Sequence, residues 1–84
     1  MRCSVVWNAF AHYRLAEIWL QSADRDAVTE ASDRIDVELR NHPENYAIVS
    51  SQGWRIIAVP PLVATFEFNA DDCKVTVLSI RFRP

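Results

Sequence analysis

The chain has 84 residues, enough for one small domain that buries about 60–65% of the surface exposed by its unfolded form. Half of the residues are hydrophobic and 24% are charged, a balance that excludes a disordered chain. The formal net charge of −2 argues against a strongly basic nucleic-acid-binding domain. Composition alone does not identify the function.

A short strand and an amphipathic helix are predicted first. Residues 3–7 are β-branched and aromatic, which is typical of a strand. Asn8 is a favoured N-cap residue and begins a helix predicted over 8–22. The apolar positions of this helix recur every three or four residues: Phe10, Tyr13, Ala16, Trp19 and Leu20. No apolar run is long enough for a signal peptide or a membrane span, so we expect a soluble, cytoplasmic protein.

A second helix is predicted over 25–41, with Asp24 as its N-cap. The helix ends at His42-Pro43, because the residue before a proline is pushed out of the α region. The short break between the two helices predicts an antiparallel helical hairpin. The second helix carries an apolar stripe of Val28, Ala31, Ile35 and Leu39. It also carries two acid–base pairs at helical spacing, Glu30–Arg34 and Asp36–Arg40.

The second half of the chain is predicted to be an antiparallel sheet. A weak strand is predicted over 46–49, and stronger strands over 54–59, 62–68 and 73–82. Pro60-Pro61 and residues 69–72 are predicted turns. These turns place Val59 opposite Leu62, Arg55 opposite Phe66, Phe68 opposite Cys73 and Phe66 opposite Val75. Ser79, Arg81 and Arg83 then share a face with Val75 and Val77, although a slip of one residue exchanges the faces.

The predicted fold class is therefore α+β, with one domain over 1–84. An N-terminal strand leads into a helical hairpin that packs on a C-terminal antiparallel sheet. We expect five large side chains to be buried: Trp19, Ile35, Leu39, Ile57 and Phe66. The two cysteines, Cys3 and Cys73, are too few for a disulfide framework and lack the spacing of a zinc site, so both are predicted to be reduced, buried thiols.

Candidate chemistry is confined to arginines. A single glycine excludes a glycine-rich phosphate loop, and His12 and His42 lie on different elements without metal spacing, so we predict no cofactor and no metal. Arg81 and Arg83 fall on one side of the last strand, and a guanidinium group binds two phosphate oxygens at once. The alternative is that these two arginines only protect a strand edge from association.

The order of elements resembles the RelE/ParE superfamily of toxins. The first strand ends Val5-Val6-Trp7, and the first helix contains Ala16-Glu17-Ile18-Trp19. Gly53-Trp54-Arg55 is similar to the family's Gly-x-Arg entry into the sheet, after a second helix that ends at His42-Pro43. Residues 60–68 and 75–80 resemble the family's later strands.

The resemblance implies a toxin of a type II toxin–antitoxin module, associated with plasmid stabilisation and neutralised by a cognate antitoxin. One branch of the family cleaves ribosome-bound mRNA without a metal, as an mRNA interferase, and another poisons DNA gyrase. Arg83 falls where the RNA-cleaving branch has an arginine, Arg81 is its neighbour on the strand, and Arg55 matches the Gly-x-Arg arginine; these three are the candidate catalytic residues. No membrane partner is expected.

An alternative from another class is a catalytically silent protein-interaction module of the same fold. Phe66 stands where many members of the family have tyrosine, and the chain reaches Pro84 before a family segment that often carries a catalytic tyrosine or histidine. Arg81 and Arg83 favour the toxin, and the missing hydroxyl and imidazole favour the silent module. In either case an exposed sheet flank or helix groove is expected to accept the partner.

Overall fold

The computed structural model describes residues 2–84. In chain order the elements are β1 (Ser4–Trp7), α1 (Ala9–Gln21), α2 (Arg25–Asn41), a short 3-10 helix (Pro43–Asn45), β2 (Arg55–Val59), β3 (Leu62–Asn69) and β4 (Lys74–Phe82). The predicted order of strand, helical hairpin and sheet is confirmed. The weak strand predicted over 46–49 is wrong, because this segment makes only an isolated bridge between Ile48 and Arg55.

Both helices begin at the predicted capping residues. The side chain of Asn8 accepts a hydrogen bond from the Ala11 amide at 2.8 Å, and that of Asp24 accepts one from the Ala27 amide at 3.1 Å. Each bond satisfies a backbone donor that the first turn of a helix leaves free. In the part of the chain that the structure describes, neither helix is long and apolar enough to cross a membrane.

The four strands form one sheet in the order β1-β4-β3-β2. β2, β3 and β4 follow one another as antiparallel neighbours, as predicted. β1 pairs in parallel with β4, with Val5 beside Val75 and Trp7 beside Val77. The sheet is therefore mixed, and the expectation of a wholly antiparallel sheet is corrected in this detail. The helical hairpin makes this possible, because it carries the chain from β1 at one side of the sheet to β2 at the other.

A β-bulge in β4 decides which side chains reach the core. Phe66 lies opposite Val77 and Thr65 lies opposite Ser79, so Leu78 is an extra residue on its strand. The predicted pairing of Phe66 with Val75 is wrong by two positions, which leaves the faces unchanged. The bulge then shifts the alternation by one residue, so that Ile80 is buried. Ser79 and Arg81, which were predicted to share a face with Val75 and Val77, therefore lie on the opposite face.

The core lies between the helical hairpin and one face of the sheet. The sheet contributes Ile57, Leu62, Ala64, Phe66, Val75, Val77 and Ile80, and the helices contribute Ala11, Ile18, Val28, Ala31, Ile35 and Leu39. Four of the five predicted core side chains are at most 2% exposed, but Trp19 is 39% exposed and its prediction is wrong. The indole lies beside α2 at the surface, where its Nε1 donates to Thr29 Oγ1 at 3.1 Å.

The two cysteines form a disulfide, which corrects the prediction of reduced thiols. Cys3 immediately precedes β1 and Cys73 immediately precedes β4. The parallel register pairs Ser4 with Lys74, so it also brings the two preceding residues side by side, with their Cα atoms 4.7 Å apart. The predicted sheet was antiparallel and did not place β1 beside β4, so it gave no reason to expect contact between the two cysteines.

Removing the ring of Phe66 should cost far more than removing an exposed ring. We expect Phe66→Ala to lower the free energy of unfolding by about 3–5 kcal/mol, because the ring is completely buried. The control Phe10→Ala removes a ring that is 64% exposed and should change it by less than about 0.5 kcal/mol. Urea titration of both variants checks this; similar losses would contradict the assigned core.

Reduction of the disulfide should destabilise the domain. The cysteines are 70 positions apart, and for a loop of that length the chain-entropy model gives about 4 kcal/mol of stabilisation. We expect the urea midpoint to fall when a thiol reductant is added, and the variant with both Cys3→Ser and Cys73→Ser to be insensitive to the reductant. Two titratable thiols in the untreated native protein would contradict the pairing.

Candidate functional site

The face of the sheet turned away from the helices (hereafter the open face) has, within residues 2–84, no helix on it and combines polar with apolar side chains. The residues that alternate with the core positions of β3 and β4 are Val63, Thr65, Glu67, Lys74, Thr76, Ser79 and Arg81, and β2 adds Ile56 and Ala58 beside Val63. The hydroxyl groups lie in the middle of the face and Lys74 and Arg81 lie near the two ends of β4. The bulge at Leu78 is what places Ser79 and Arg81 here.

Arg81 and Arg83 lie together at one end of this open face. Arg81 is exposed and lies opposite Val63 on β3. The amide of Arg83 donates to the carbonyl oxygen of Pro61 at 2.6 Å, which holds the segment after β4 against the hairpin loop. The Arg83 side chain lines a shallow cleft with Ile56, Ala58 and Val63. Within residues 2–84 neither guanidinium group forms an ion pair, so both charges can meet a ligand.

Arg55, the third candidate, is on the other face of the sheet. It lies opposite the buried Phe66, and its Nη1 donates to the carbonyl oxygen of Tyr46 at 2.7 Å. A longer contact of 3.4 Å reaches the carbonyl oxygen of Glu44, and the guanidinium lies 5.7 Å from the ring centre of Phe68. These bonds fasten the segment after α2 to the sheet.

The structure therefore brings Arg81 and Arg83 together but not Arg55. On β3, the partner of Arg81 is three residues from the partner of Arg55, which is about 10 Å along the strand. The two side chains also project from opposite faces. A phosphate group bound at Arg81 and Arg83 would be out of reach of Arg55.

Tyr46 belongs to the same supporting cluster as Arg55. Its hydroxyl donates to Glu38 Oε2 at 3.1 Å, and its ring packs edge-on against Phe66 with ring centres 6.1 Å apart. Burial raises the pKa of Tyr46 above its ordinary value of 10.0, and the hydrogen bond to Glu38 raises this pKa further because it favours the neutral phenol. The hydrogen-bonding groups of Tyr46 and Arg55 bind other groups of the protein, so this cluster supports the fold.

Because the pKa of Tyr46 is higher in the folded than in the unfolded chain, its contribution to stability is complete below pH 10 and is lost as the pH rises through the folded pKa. We expect the urea midpoint to fall as the pH rises above the ordinary tyrosine pKa of 10.0, and Tyr46→Phe to reduce that fall. Tyr13→Phe, at a residue 70% exposed, is the matched control and should leave the pH dependence unchanged. An identical fall in all three proteins would contradict the assignment.

The two histidines lie away from the open face. His12 is exposed on α1, and His42 is exposed at the C-terminal end of α2. In the described residues no group of three or more His, Cys, Asp or Glu side chains could hold a metal ion. The open face thus offers cations and hydroxyl groups but no imidazole.

A second exposed surface, which is apolar and was not predicted from the sequence, lies on α1 and between the two helices. The predicted apolar stripe of α1 faces solvent, since Phe10, Tyr13 and Leu20 are all more than 60% exposed. The core instead receives Ala11, Leu15 and Ile18, a set with only one large side chain that is fully buried. The signal was present in the sequence, because α1 carries more apolar residues than one buried stripe accommodates.

Comparison with protein-family models and with curated proteins finds no match. Solved structures do share the fold. A chain of the toxin–antitoxin complex RelBE2 from Mycobacterium tuberculosis superposes with a TM-score of 0.79 over 99% of this chain and 93% of that chain, at 9% identity. A chain of the chromosomal ParDE toxin–antitoxin system from P. aeruginosa superposes with a TM-score of 0.73 over 99% and 98%, at 15% identity.

These likenesses define the class of fold. The chain has a RelE/ParE-like α+β fold along nearly its whole length, and the resemblance found in the sequence is confirmed at this level. The particular members with which it superposes come from RelBE2 and ParDE complexes.

Proposed function

We propose that this protein is the toxin of a type II toxin–antitoxin module and is held inactive by a cognate antitoxin. The observation that carries the proposal is the likeness of fold over 99% of the chain to chains from two toxin–antitoxin complexes. Neither structure is matched through a fragment, since each is itself covered by more than 90%. The proposed place of action is the cytoplasm.

The proposed target chemistry is binding of a phosphate group of RNA by Arg81 and Arg83. In cleavage, the 2′-oxygen bonds to the adjacent phosphorus, the bond from phosphorus to the 5′-oxygen breaks, and a proton passes from the 2′-hydroxyl to solvent while the leaving oxygen gains one. Charge on the phosphoryl oxygens rises in the transition state, and two preorganised guanidinium groups stabilise that charge. Arg55 enters this proposal as a positioning residue that braces the sheet.

Among residues 2–84, the open face supplies no general base near Arg81 and Arg83. Its carboxylate, Glu67, pairs with Thr76 and lies four residues along β3 from Val63, the partner of Arg81, which is about 13 Å. This distance favours modest catalysis by charge stabilisation over acid–base catalysis. It also supports the second candidate function, a catalytically silent module that binds the antitoxin or another protein partner.

Poisoning of DNA gyrase is the third candidate function. An RNase and a gyrase poison are distinguished by what stops first in the cell. Loss of protein synthesis before DNA synthesis supports action on ribosome-bound mRNA, and the reverse order with induction of DNA repair supports action on gyrase.

Expression without an antitoxin should arrest growth, and replacement of either terminal arginine should relieve the arrest. For Arg83→Ala and Arg81→Ala we expect about a hundredfold loss of RNA cleavage, because a preorganised cation at a phosphate site contributes a few kcal/mol to transition-state stabilisation. Cell growth and cleavage of purified mRNA on ribosomes are the measurements.

Arg34→Ala is the matched control, since Arg34 is exposed on α2, which packs against the other face of the sheet. This variant should remain toxic. Urea midpoints of all three variants should lie close to that of the parent, which excludes lost folding as the cause. If expression of the unmodified protein does not slow growth, the result counts against the toxin. A stable complex with the product of an adjacent gene would then support the silent module.

A further inference from the structure

Trp54 places an aromatic ring on the open face, at the end of the sheet opposite to Arg81 and Arg83. The residue is 37% exposed and lies outside the buried core. It directly precedes Arg55, which lies on the helix side of the sheet, so the alternation of a strand places Trp54 on the open face. An aromatic ring exposed on such a face can stack with a planar ligand.

A tight hairpin holds the backbone of Trp54 in place. Its amide donates to Ser50 Oγ at 3.0 Å, and its carbonyl oxygen accepts from the Val49 amide at 2.8 Å. The turn closes at Gly53, whose φ of 83° favours glycine and whose amide donates to the Ser50 carbonyl oxygen at 3.1 Å. Because the ring is attached to a fixed backbone, little conformational entropy is lost when a ligand stacks on it.

A cavity of about 620 Å³, open to solvent, lies beside the Trp54 ring. Its lining includes the amides of Gln52 and Asn69 and the carboxylates of Glu67 and Asp71. Amide and carboxylate groups can hydrogen-bond the edges of nucleobases, whereas the carboxylates repel phosphate groups. The cavity therefore suits a base better than the phosphate backbone of a nucleic acid.

The distance from Trp54 to the arginines is one that an extended single strand can span. Trp54 continues the register of β2 on β3 and lies beside Glu67. Position 67 is four residues along β3 from Val63, the partner of Arg81, and β4 is two strands away from β2. These offsets of about 13 Å along the strands and about 10 Å across them separate the Cα atoms of Trp54 and Arg81 by about 16 Å.

The charges of the open face favour a polyanion as its occupant. Among the described residues, this face carries three cations, Lys74, Arg81 and Arg83, and one carboxylate, Glu67. None of these cations forms an ion pair within residues 2–84. The whole chain has a net charge of −2, so this positive charge is local to the face. Cations that contact the phosphate backbone and an aromatic ring that stacks with a base are the two components of single-strand binding surfaces.

We propose that Trp54 stacks on a base of single-stranded RNA whose phosphate groups bind Arg81 and Arg83. The base enters the cavity beside Gln52 and Asn69, and the strand crosses the open face from there to the arginines. The bases of a duplex are stacked on one another, so a duplex cannot offer a base to the ring without unpairing it. This inference rests on the proposed function for the phosphate site, and it adds the residue that selects a single strand.

The test measures binding of a fluorescently labelled single-stranded RNA of about eight nucleotides to the purified protein by anisotropy. Methylation of every 2′-oxygen blocks the proposed cleavage, so that binding alone is measured. Trp54→Leu should weaken binding about tenfold because stacking is lost, and Trp54→Phe should retain most of the affinity. Trp19→Leu is the matched control, since Trp19 is 39% exposed but lies beside α2, and it should bind as the parent does.

Two further measurements separate stacking from a structural effect of the substitution. The parent should bind an abasic strand of the same length about tenfold more weakly, and Trp54→Leu should bind both strands equally, since the abasic strand has no base to stack. Arg83→Ala should reduce the slope of log affinity against log salt by about 0.7, the value for one phosphate contact on a single strand. Trp54→Leu should leave this slope unchanged, and urea midpoints of all variants verify folding.

Four results would overturn the inference. Unchanged affinity in Trp54→Leu, or equal losses in Trp54→Leu and Trp19→Leu, would remove any specific role of Trp54. Equal affinity of the parent for an RNA duplex and for the single strand would exclude stacking on a base. A parent that binds no strand at low salt would exclude RNA from the open face.

Failure of this inference is distinguishable from failure of the proposed function. Growth arrest that Arg83→Ala relieves, together with unchanged strand binding in Trp54→Leu, would remove Trp54 from the site and leave the toxin proposal in place. Strand binding that depends on Trp54 in a protein that does not arrest growth would support the stacking site and count against the toxin.

Discussion

Strand β4 is the element on which the rest of the structure depends. It pairs with β1 on one side and β3 on the other, and α1 packs across its buried face. A strand so placed must present apolar side chains to the helices throughout its length. The bulge at Leu78 allows the strand to do this at Val75, Val77 and Ile80 while it turns Arg81 to the opposite face. The core and the cationic end of the sheet thus follow from one inserted residue.

A single helical layer explains why two surfaces remain available. Two helices cover one face of a four-stranded sheet, so the other face stays in water and keeps its hydroxyl groups and cations. Among the described residues no second layer covers the outward sides of the helices either, which leaves a groove between α1 and α2 open. The protein therefore presents an apolar groove on one side and, within residues 2–84, two guanidinium groups without an ion pair on the other, and these surfaces are chemically different.

Local pattern predicted the elements well and the long-range contacts poorly. Capping by Asn8 and Asp24 and the hairpin register at Arg55–Phe66 followed from nearby residues, because turns and caps are decided within a few positions. The parallel pairing of β1, and with it the disulfide, joins residues far apart in sequence, and no local signal encodes it. Trp19 was misplaced for a different reason: α1 has two apolar sides, and periodicity does not tell which one a sheet will cover.

The positions of the arginines were likewise predicted only in part. Their residue type and position at the end of the last strand were visible in the sequence, whereas the face that each one occupies depends on the bulge and on the carbonyl groups around Arg55. The parallel ladder between β1 and β4 has a further consequence for synthesis. β1 leaves the ribosome first, but its partner strand begins some 70 positions later, as the spacing of the two cysteines shows. The sheet can close only after nearly the whole domain has been translated, so the nascent chain cannot display its cationic face in finished form while β4 is still being made.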